Sequence, residues 1–328
     1  MTEKILEVQE LTTELYTKRG FIKAVDKVSF DVYKGKTLGI VGESGSGKSM
    51  TALSIMRLLE EEKSILKGEI LFDGANVLGF SEEEMRVLRG NKLTMIFQEP
   101  MTCLNPVLTI GEQIAEGLML HKGLSSAAAY KESIQLLDQV GIPDPDKRVK
   151  TYPHQLSGGQ RQRVMIAIAV ACEPELLIAD EPTTALDVTT EAQVIDLILR
   201  LQKERDMGMI FITHDFGLVA QVCDEVAVMY AGKIVEYTST KNLFAKPMHP
   251  YTQGLLRSIP TLQNIGKKEP LATIKGGVPA FADLPQGCSF QGRCDFATER
   301  CKLPVVLEEK APGHYVACFH PRNVVSKK

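Results

Sequence analysis

The sequence predicts an α/β domain with a largely parallel sheet, and three observations carry that expectation. Short apolar runs that read as buried strands alternate with longer segments of helical periodicity. One run, residues 37–41, opens into the glycine-rich turn Gly42-Glu43-Ser44-Gly45-Ser46-Gly47-Lys48-Ser49. Polar side chains suited to chemistry (Gln98, Asp180, Glu181 and His214) fall at the carboxyl ends of other runs, where ligands of open parallel sheets bind.

Taken in order, residues 5–8 and 28–32 alternate as antiparallel strands separated by a polar segment. That segment holds Tyr16 and Phe21, either of which suits stacking on a purine or filling a strand edge. Gly35-Lys36 turns into the strand 37–41, and residues 50–59 follow the glycine-rich turn as an amphipathic helix. Residues 68–74 read as a strand and turn. Ser81 suits a helix N-cap, with Glu82, Glu83 and Glu84 where carboxylates complement the helix dipole. Residues 93–97 are a strand ending at Gln98, and residues 99–106 a loop marked by Pro100 and Pro106. Residues 110–140 carry helical periodicity (Ile134, Leu137, Val140) before Pro143, Pro145 and Pro153 break the chain. Ser157 caps the helix that follows Leu156-Ser157-Gly158-Gly159-Gln160, and the glycines leave its first N–H groups open to an anion. A strand at 176–179 ends in Asp180-Glu181-Pro182. Residues 183–187 then turn into a helix over 191–201, and a strand at 209–213 ends at His214-Asp215. Residues 226–230 and 234–237 form a hairpin. Beyond about residue 240 prolines become frequent; residues 249–256 form one short helix, and the rest reads as loops held by something other than a large core.

Composition bounds the function. The chain has 328 residues, 44% of them hydrophobic and 24% charged, with a net charge of −3 and both signs intermixed. That excludes a general nucleic-acid binder, which needs a basic stripe. No apolar run approaches the roughly 20 residues of a membrane span, and the polar N-terminus lacks a signal peptide's apolar core. A cytosolic protein is expected, reaching a membrane only through a partner. Seven cysteines in a reducing compartment are no disulfide framework.

The turn at Gly42 reads as a phosphate-binding loop, G-x-x-x-x-G-K-S. Its glycines let successive N–H groups point into one concavity, at which the following helix aims its positive end. Lys48 supplies a cation for the β- and γ-phosphates, and the Ser49 hydroxyl suits Mg2+.

Together these residues resemble the ATP-binding subunit of an ABC transporter, a P-loop NTPase cassette with a RecA-like core, an antiparallel β edge and a helical subdomain. Walker A is residues 42–49, the Q-loop glutamine Gln98, the signature residues 156–160, and Walker B residues 176–180. Glu181 follows as the catalytic glutamate, Asp187 closes the D-loop, and His214 is the switch histidine. The closer resemblance is to the dipeptide/oligopeptide importers, a group whose pattern nickel importers share. It rests on residues 41–49, on Gln98-Glu99-Pro100-Met101 through Leu104-Asn105-Pro106, and on His249-Pro250-Tyr251-Thr252. The implied organisation is a nucleotide-binding domain over residues 1–240, its helical subdomain at about 104–155, and a loop-rich, metal-binding extension over 241–328.

The resemblance implies two cassettes paired head to tail around two ATPs. Tyr16, Gly42, Ser44, Gly45, Ser46, Gly47, Lys48, Ser49 and Met50 would contact nucleotide from one cassette, and Ser157, Gly158, Gly159, Gln160 and Asp187 from the other. Ser49, Gln98 and Asp180 would serve Mg2+. Glu181 would polarise the attacking water, with His214, Lys48 and Gln98 supporting phosphoryl transfer. Implied partners are a second, identical or related ATPase subunit, two transmembrane permease subunits and an extracytoplasmic peptide-binding protein. The implied location is peripheral, at the cytoplasmic face of the cell membrane.

Cys288, Cys294, Cys301 and Cys318 crowd the extension with spacings C-x5-C, C-x6-C and C-x16-C, which match neither zinc-finger nor ferredoxin patterns. A loop-rich segment of this size still calls for a metal staple. The resemblance implies a [4Fe–4S] cluster, with Zn2+ completed by His314 and His320 as the alternative. Competing functions are import of nickel or another small solute, a soluble ABC ATPase outside transport, and a redox protein regulated by ATP.

Overall fold

Branched apolar runs of five or six residues are too short for stable helices and long enough for buried strands. In the computed structural model, Thr37–Val41, Leu176–Asp180 and Gly208–Thr213 are strands buried at every position. The described residues are 3–18, 20–184, 186–259 and 273–323, with the side chains of Pro100 and Met101 excepted. Of the segments read from the sequence, the first two residues of the polar N-terminus, Ala185 of the turn at 183–187, and Pro260 and Pro270 of the proline-rich stretch lie outside them.

In chain order the first elements are β1 (Lys4–Thr17), β2 (Gly20–Tyr33), β3 (Thr37–Val41), α1 (Lys48–Ile55), β4 (Ser64–Phe72), β5 (Ala75–Asn76), α2 (Glu82–Leu88) and β6 (Leu93–Ile96). The helical stretch follows with α3 (Pro100–Cys103), α4 (Ile110–Lys122), α5 (Ser126–Gln139), α6 (Pro145–Arg148) and α7 (Gly158–Val170). Then come β7 (Leu176–Asp180), α8 (Val188–Glu204), β8 (Gly208–Thr213), α9 (Phe216–Val222), β9 (Glu225–Tyr230) and β10 (Lys233–Ser239). The last are α10 (Thr240–Ala245), α11 (Pro250–Arg257), β11 (Glu308–Ala311) and β12 (His314–Val316).

The chain forms two compact units. The first comprises Met1–Ile5, Val32–Lys36 and Phe72–Phe211. Within it β6 and β7 pair in parallel, Leu93 opposite Leu176 and Ile96 opposite Ala179. Helix α7 supplies buried Val164, Ile166, Ala167 and Val170, and α8 supplies Val194, Ile195, Ile198 and Leu201. Among the described residues five of its helices begin on side-chain caps: Ser81 for α2, Thr109 for α4, Ser125 for α5, Ser157 for α7 and Asp187 for α8.

The second unit comprises Leu6–Asp31, Thr37–Leu71 and Ile212–Lys328. In one of its sheets the strands run in the order β11-β12-β10-β9-β3, and in another β2, β1 and β4 are successive neighbours. In the former, β3 and β9 are parallel, and the remaining neighbours are antiparallel. Buried Glu236 on β10 ties this unit together, accepting from the N–H groups of Met248 (2.6 Å) and His249 (2.9 Å) and pairing with His314 Nε2 at 2.6 Å. Tyr230, Tyr251 and Phe290 pack as an aromatic cluster with centroids 4.8–5.3 Å apart.

Several sequence expectations change. β1 and β2 run the full lengths 4–17 and 20–33, because the polar stretch around Tyr16 is the outward face of paired strands, not a connector. The helix after the glycine-rich turn starts at Lys48 and ends by Arg57, whose φ of 49° takes the chain into the left-handed region. The loop at 99–106 contains the short α3, and α8 begins three residues earlier than its apolar periodicity suggests, at the Asp187 cap. The extension is not only loops: β12 joins β10, with Glu236 opposite Val316 and Thr238 opposite His314.

His249 caps α11 by accepting the Tyr251 N–H at Nδ1 (3.1 Å), and burial pushes its pKa down to about 4 despite the nearby Glu236 carboxylate. The unfolded chain therefore binds a proton, between its ordinary imidazole pKa of about 6.5 and 4, that the folded chain refuses. Folding stability is expected to be full above about pH 6.5 and to fall by on the order of 3 kcal/mol as pH drops to 4. Urea unfolding across this range checks it: His249→Asn, which keeps a capping side chain, should show a flatter profile.

Candidate active site

The phosphate loop leaves buried β3 at Gly42 and enters α1 at Lys48, all within the second unit. Two glycines are required by close backbone approach. Gly42 (φ 157°) has no room for a Cβ beside the Met229 carbonyl, and at Gly47 (φ 105°) a Cβ would stand 2.7 Å from the Ala24 carbonyl oxygen. Lys48 is buried, and its Nζ donates to the carbonyls of Gly42 (2.9 Å) and Glu43 (3.2 Å), so the charge is held inside the loop's concavity. Ser46 Oγ is buried with no hydrogen-bond partner among the described residues, a polar atom that suits a phosphate oxygen. Ser44 and Gly45 are exposed at the mouth of the loop, and Ser49 and Met50 are half-buried. Thr51 anchors the helix by donating its hydroxyl to the Gly47 carbonyl at 3.0 Å.

In the same unit Tyr16 and Phe21 are 62% and 58% exposed, and their rings meet edge-on at 5.3 Å. Exposed aromatics on a strand pair suit a ligand face better than a core, which favours the stacking alternative for this pair. His214 is exposed at the end of β8 and is not a core histidine.

The first unit gathers the other predicted residues. Asp180 is buried at the end of β7, and Glu181 follows it with φ 44°, a left-handed backbone uncommon for a residue with a side chain. Glu181 Oε2 accepts from Gln98 Nε2 at 3.1 Å and from the Thr184 hydroxyl at 3.1 Å. Two of the predicted residues thus meet, and Thr184 joins them unforeseen. Ser157 accepts the Gln160 N–H at 3.3 Å while Gln160 Oε1 accepts the Ser157 N–H at 3.1 Å. This capping box leaves Ser157 and Gly158 exposed and Gly159 half-buried at the start of α7. A Cβ on Gly159 would stand 2.6 Å from Thr190 Cγ2. Asp187 is exposed and caps α8 through the Thr190 N–H at 3.0 Å; that bond holds its carboxyl below the usual range.

The cysteine expectation is corrected in part. Cys288, Cys294, Cys301 and Cys318 are unbridged thiols lining one small cavity, together with His249, Phe290 and His320. Burial pushes the thiols of Cys288 and Cys294 up, and that of Cys318 to about 11. Among the described residues no three His, Cys, Asp or Glu side chains are gathered closely enough to hold a metal ion. The zinc alternative fails further because His314 is committed to Glu236 and His320 Nε2 lies 2.8 Å from the Thr298 hydroxyl.

Sequence reasoning missed Arg293 and Glu43. Arg293 forks onto the Glu43 carboxylate, and Tyr251 Oη accepts the Glu43 N–H at 2.9 Å. The available signals were the position of Arg293 beside Cys294 and of Tyr251 within the 249–252 stretch.

Comparison with known proteins bears on the family. The ABC transporter family model matches residues 25–184, and that of the oligopeptide/dipeptide transporter C-terminal region matches residues 235–301. A probable peptide ABC transporter ATP-binding protein of Sinorhizobium fredii is 50% identical over 98% of this chain and 96% of its own length. The oligopeptide transport ATP-binding protein OppD of Salmonella typhimurium is 49% identical over 97% of this chain and 94% of its own. The dipeptide transport ATP-binding protein DppD of Bacillus subtilis is 52% identical over 89% and 87%. Among solved structures, a dimeric ATP-binding cassette in a post-hydrolysis state with ADP and Pi superposes with a TM-score of 0.64 at 26% identity, covering 72% of this chain and 98% of that one.

The geometry at Gly47 yields a direct test. Gly47→Ala combines backbone strain with a close contact to Ala24, so MgATP should bind at least about tenfold more weakly. Equilibrium titration with a fluorescent ATP analogue measures it.

Proposed function

Because the chain belongs to the ABC transporter family, as the ATP-binding, ATP-hydrolysing subunit of a peptide importer, we propose a division of labour among its side chains. Residues 42–49 cradle the triphosphate, with backbone N–H groups and Lys48 balancing its charge. Tyr16 or Phe21 stacks on the adenine. Ser49 and Asp180 would hold Mg2+, which would balance charge on the phosphates. Glu181 polarises the attacking water, Gln98 orients Glu181 and senses the metal, and His214 contacts the γ-phosphate. Ser157, Gly158, Gly159 and Gln160, with Asp187, receive the nucleotide of a facing cassette. The observation that carries this reading is the convergence of Gln98 and Thr184 on one oxygen of Glu181, itself held in a strained backbone directly after buried Asp180. Such strain persists where neighbours over-determine it, commonly at sites that do chemistry.

Nucleotide-driven pairing with a second cassette, identical or related, would move helices of two membrane-spanning permease subunits at the cytoplasmic face. An extracytoplasmic binding protein would deliver the cargo. Among the described residues no helix is long and apolar enough to cross a membrane, which fits a peripheral subunit. The names of the relatives and the match over residues 235–301 support di- or oligopeptides as cargo over nickel.

A [4Fe–4S] cluster in the extension is part of the same proposal. Four unbridged thiols lining a common cavity suit a multi-atom core better than a single ion, and the buried His249 ring lines the same space. Cys288, Cys294, Cys301 and Cys318 would hold the cluster as thiolates, their protons displaced by metal. When bound, it would supply a covalent staple to a segment with little core of its own.

Two outcomes follow. Glu181→Gln should retain MgATP binding while losing ATP turnover by at least about a hundredfold in the assembled importer; an unchanged turnover would remove Glu181 from the mechanism. Anaerobically purified protein should be brown and contain iron and sulfide, and Cys294→Ser should bleach it; a colourless, iron-free parent would remove the cluster.

A further inference from the structure

Glu43 is the second residue of the phosphate loop, and it is gripped from the far end of the chain. Its N–H donates to Tyr251 Oη at 2.9 Å. Its carboxylate receives both arms of Arg293, Nη1 to Oε2 at 2.7 Å and Nη2 to Oε1 at 3.0 Å. Arg293 is itself fixed: Nε donates to the Lys275 carbonyl at 2.8 Å and Nη2 to the Gly276 carbonyl at 2.9 Å. Its guanidinium stands 5.8 Å from the centroid of Tyr230 and 5.9 Å from that of Phe290. The Arg293 side chain is 7% exposed and that of Glu43 30%. Tyr251 is fully buried in the same aromatic cluster.

Isolated surface ion pairs contribute little, but this one differs in kind. It is two-pronged, largely covered, and completed by backbone carbonyls and aromatic faces, so neither partner is free to sample other rotamers. Lys48 also donates to the Glu43 carbonyl, so this one residue links the loop's cation to the downstream brace. A loop ordered before its ligand arrives saves the ligand the cost of ordering it.

We infer that Arg293, assisted by Tyr251, is a positioning residue for ATP: it braces Glu43 so that the phosphate loop and Lys48 are set before the triphosphate binds. The inference rests on reading residues 42–49 as the ATP phosphate loop. Arg293 touches no reacting atom. Its contribution is the same in the bound ground state and the transition state, and its loss should appear in affinity and leave turnover at saturation unchanged.

The test uses the full chain for MgATP affinity, by equilibrium titration with a fluorescent ATP analogue, and the reconstituted importer for KM and kcat. Arg293→Met should raise Kd and KM about tenfold, with kcat within about twofold of the parent. Arg293→Lys keeps the charge without the fork and should fall between the two. Glu43→Gln should also raise Kd, and adding Arg293→Met to it should raise Kd by much less than the product of the single effects, because both remove one contact. A Kd for Arg293→Met within about twofold of the parent, or a loss of kcat with KM unchanged, overturns the inference. Should Arg293→Met not fold, Arg293→Lys and Glu43→Gln, measured singly and combined, decide by the same criteria. Lys48→Ala separates the premises. If it binds MgATP like the parent, the loop reading fails and the brace with it; if it loses binding while the Arg293 variants do not, the brace alone fails.

Discussion

Close backbone approach at the exit of β3 is the constraint on which the rest depends. Gly42 passes beneath the Met229 carbonyl and Gly47 beneath that of Ala24, leaving no space for a side chain at either place. This tightness lets a loop emerging from a fully buried strand curl within a few residues into α1, with the Lys48 ammonium among its own carbonyls. Gathering N–H donors and a cation into one concavity, without a wall of side chains in front, is the physical requirement for holding a polyanion.

The first unit solves a related problem by different means. Its caps at Ser157 and Asp187 satisfy some helix-terminal amides with side chains, while small residues leave others open. Glu181 shows the opposite economy: its φ of 44° is unfavourable, and its carboxylate is pinned by Gln98 and Thr184. Helix ends and a strained strand end thus hold the residues proposed for the chemistry, while β6, β7 and the buried faces of α7 and α8 supply the rigidity.

Much of this was legible in the sequence where the determinant is local. The strands 37–41 and 176–180 announce themselves because every position is buried, and Ser81 and Ser157 mark helix starts because a cap needs only its third neighbour. The limits of β1 and β2 were not legible, since Tyr16 and Phe21 face outward and Glu10, at φ 47°, interrupts the alternation. The start of α8 was hidden because Val188, 82% exposed, breaks the apolar periodicity before the core stripe begins. Arg293 and Glu43 lie 250 residues apart, and nothing local in either stretch names its partner. The cysteines were visible as a crowd, yet which side chains share their cavity depends on how α11 and the segment after residue 273 fold back.

The pairing of β12 with β10 has one more consequence. A chain ending after β10 would leave that strand's unpaired amides and carbonyls facing solvent, an open template for intermolecular sheet growth. Here β12 covers that rim and β11 becomes the outermost strand, where Glu308, Glu309 and Lys310 place charge along the border. The C-terminal segment thus moves the sheet's open rim from β10 to a strand bordered by charge.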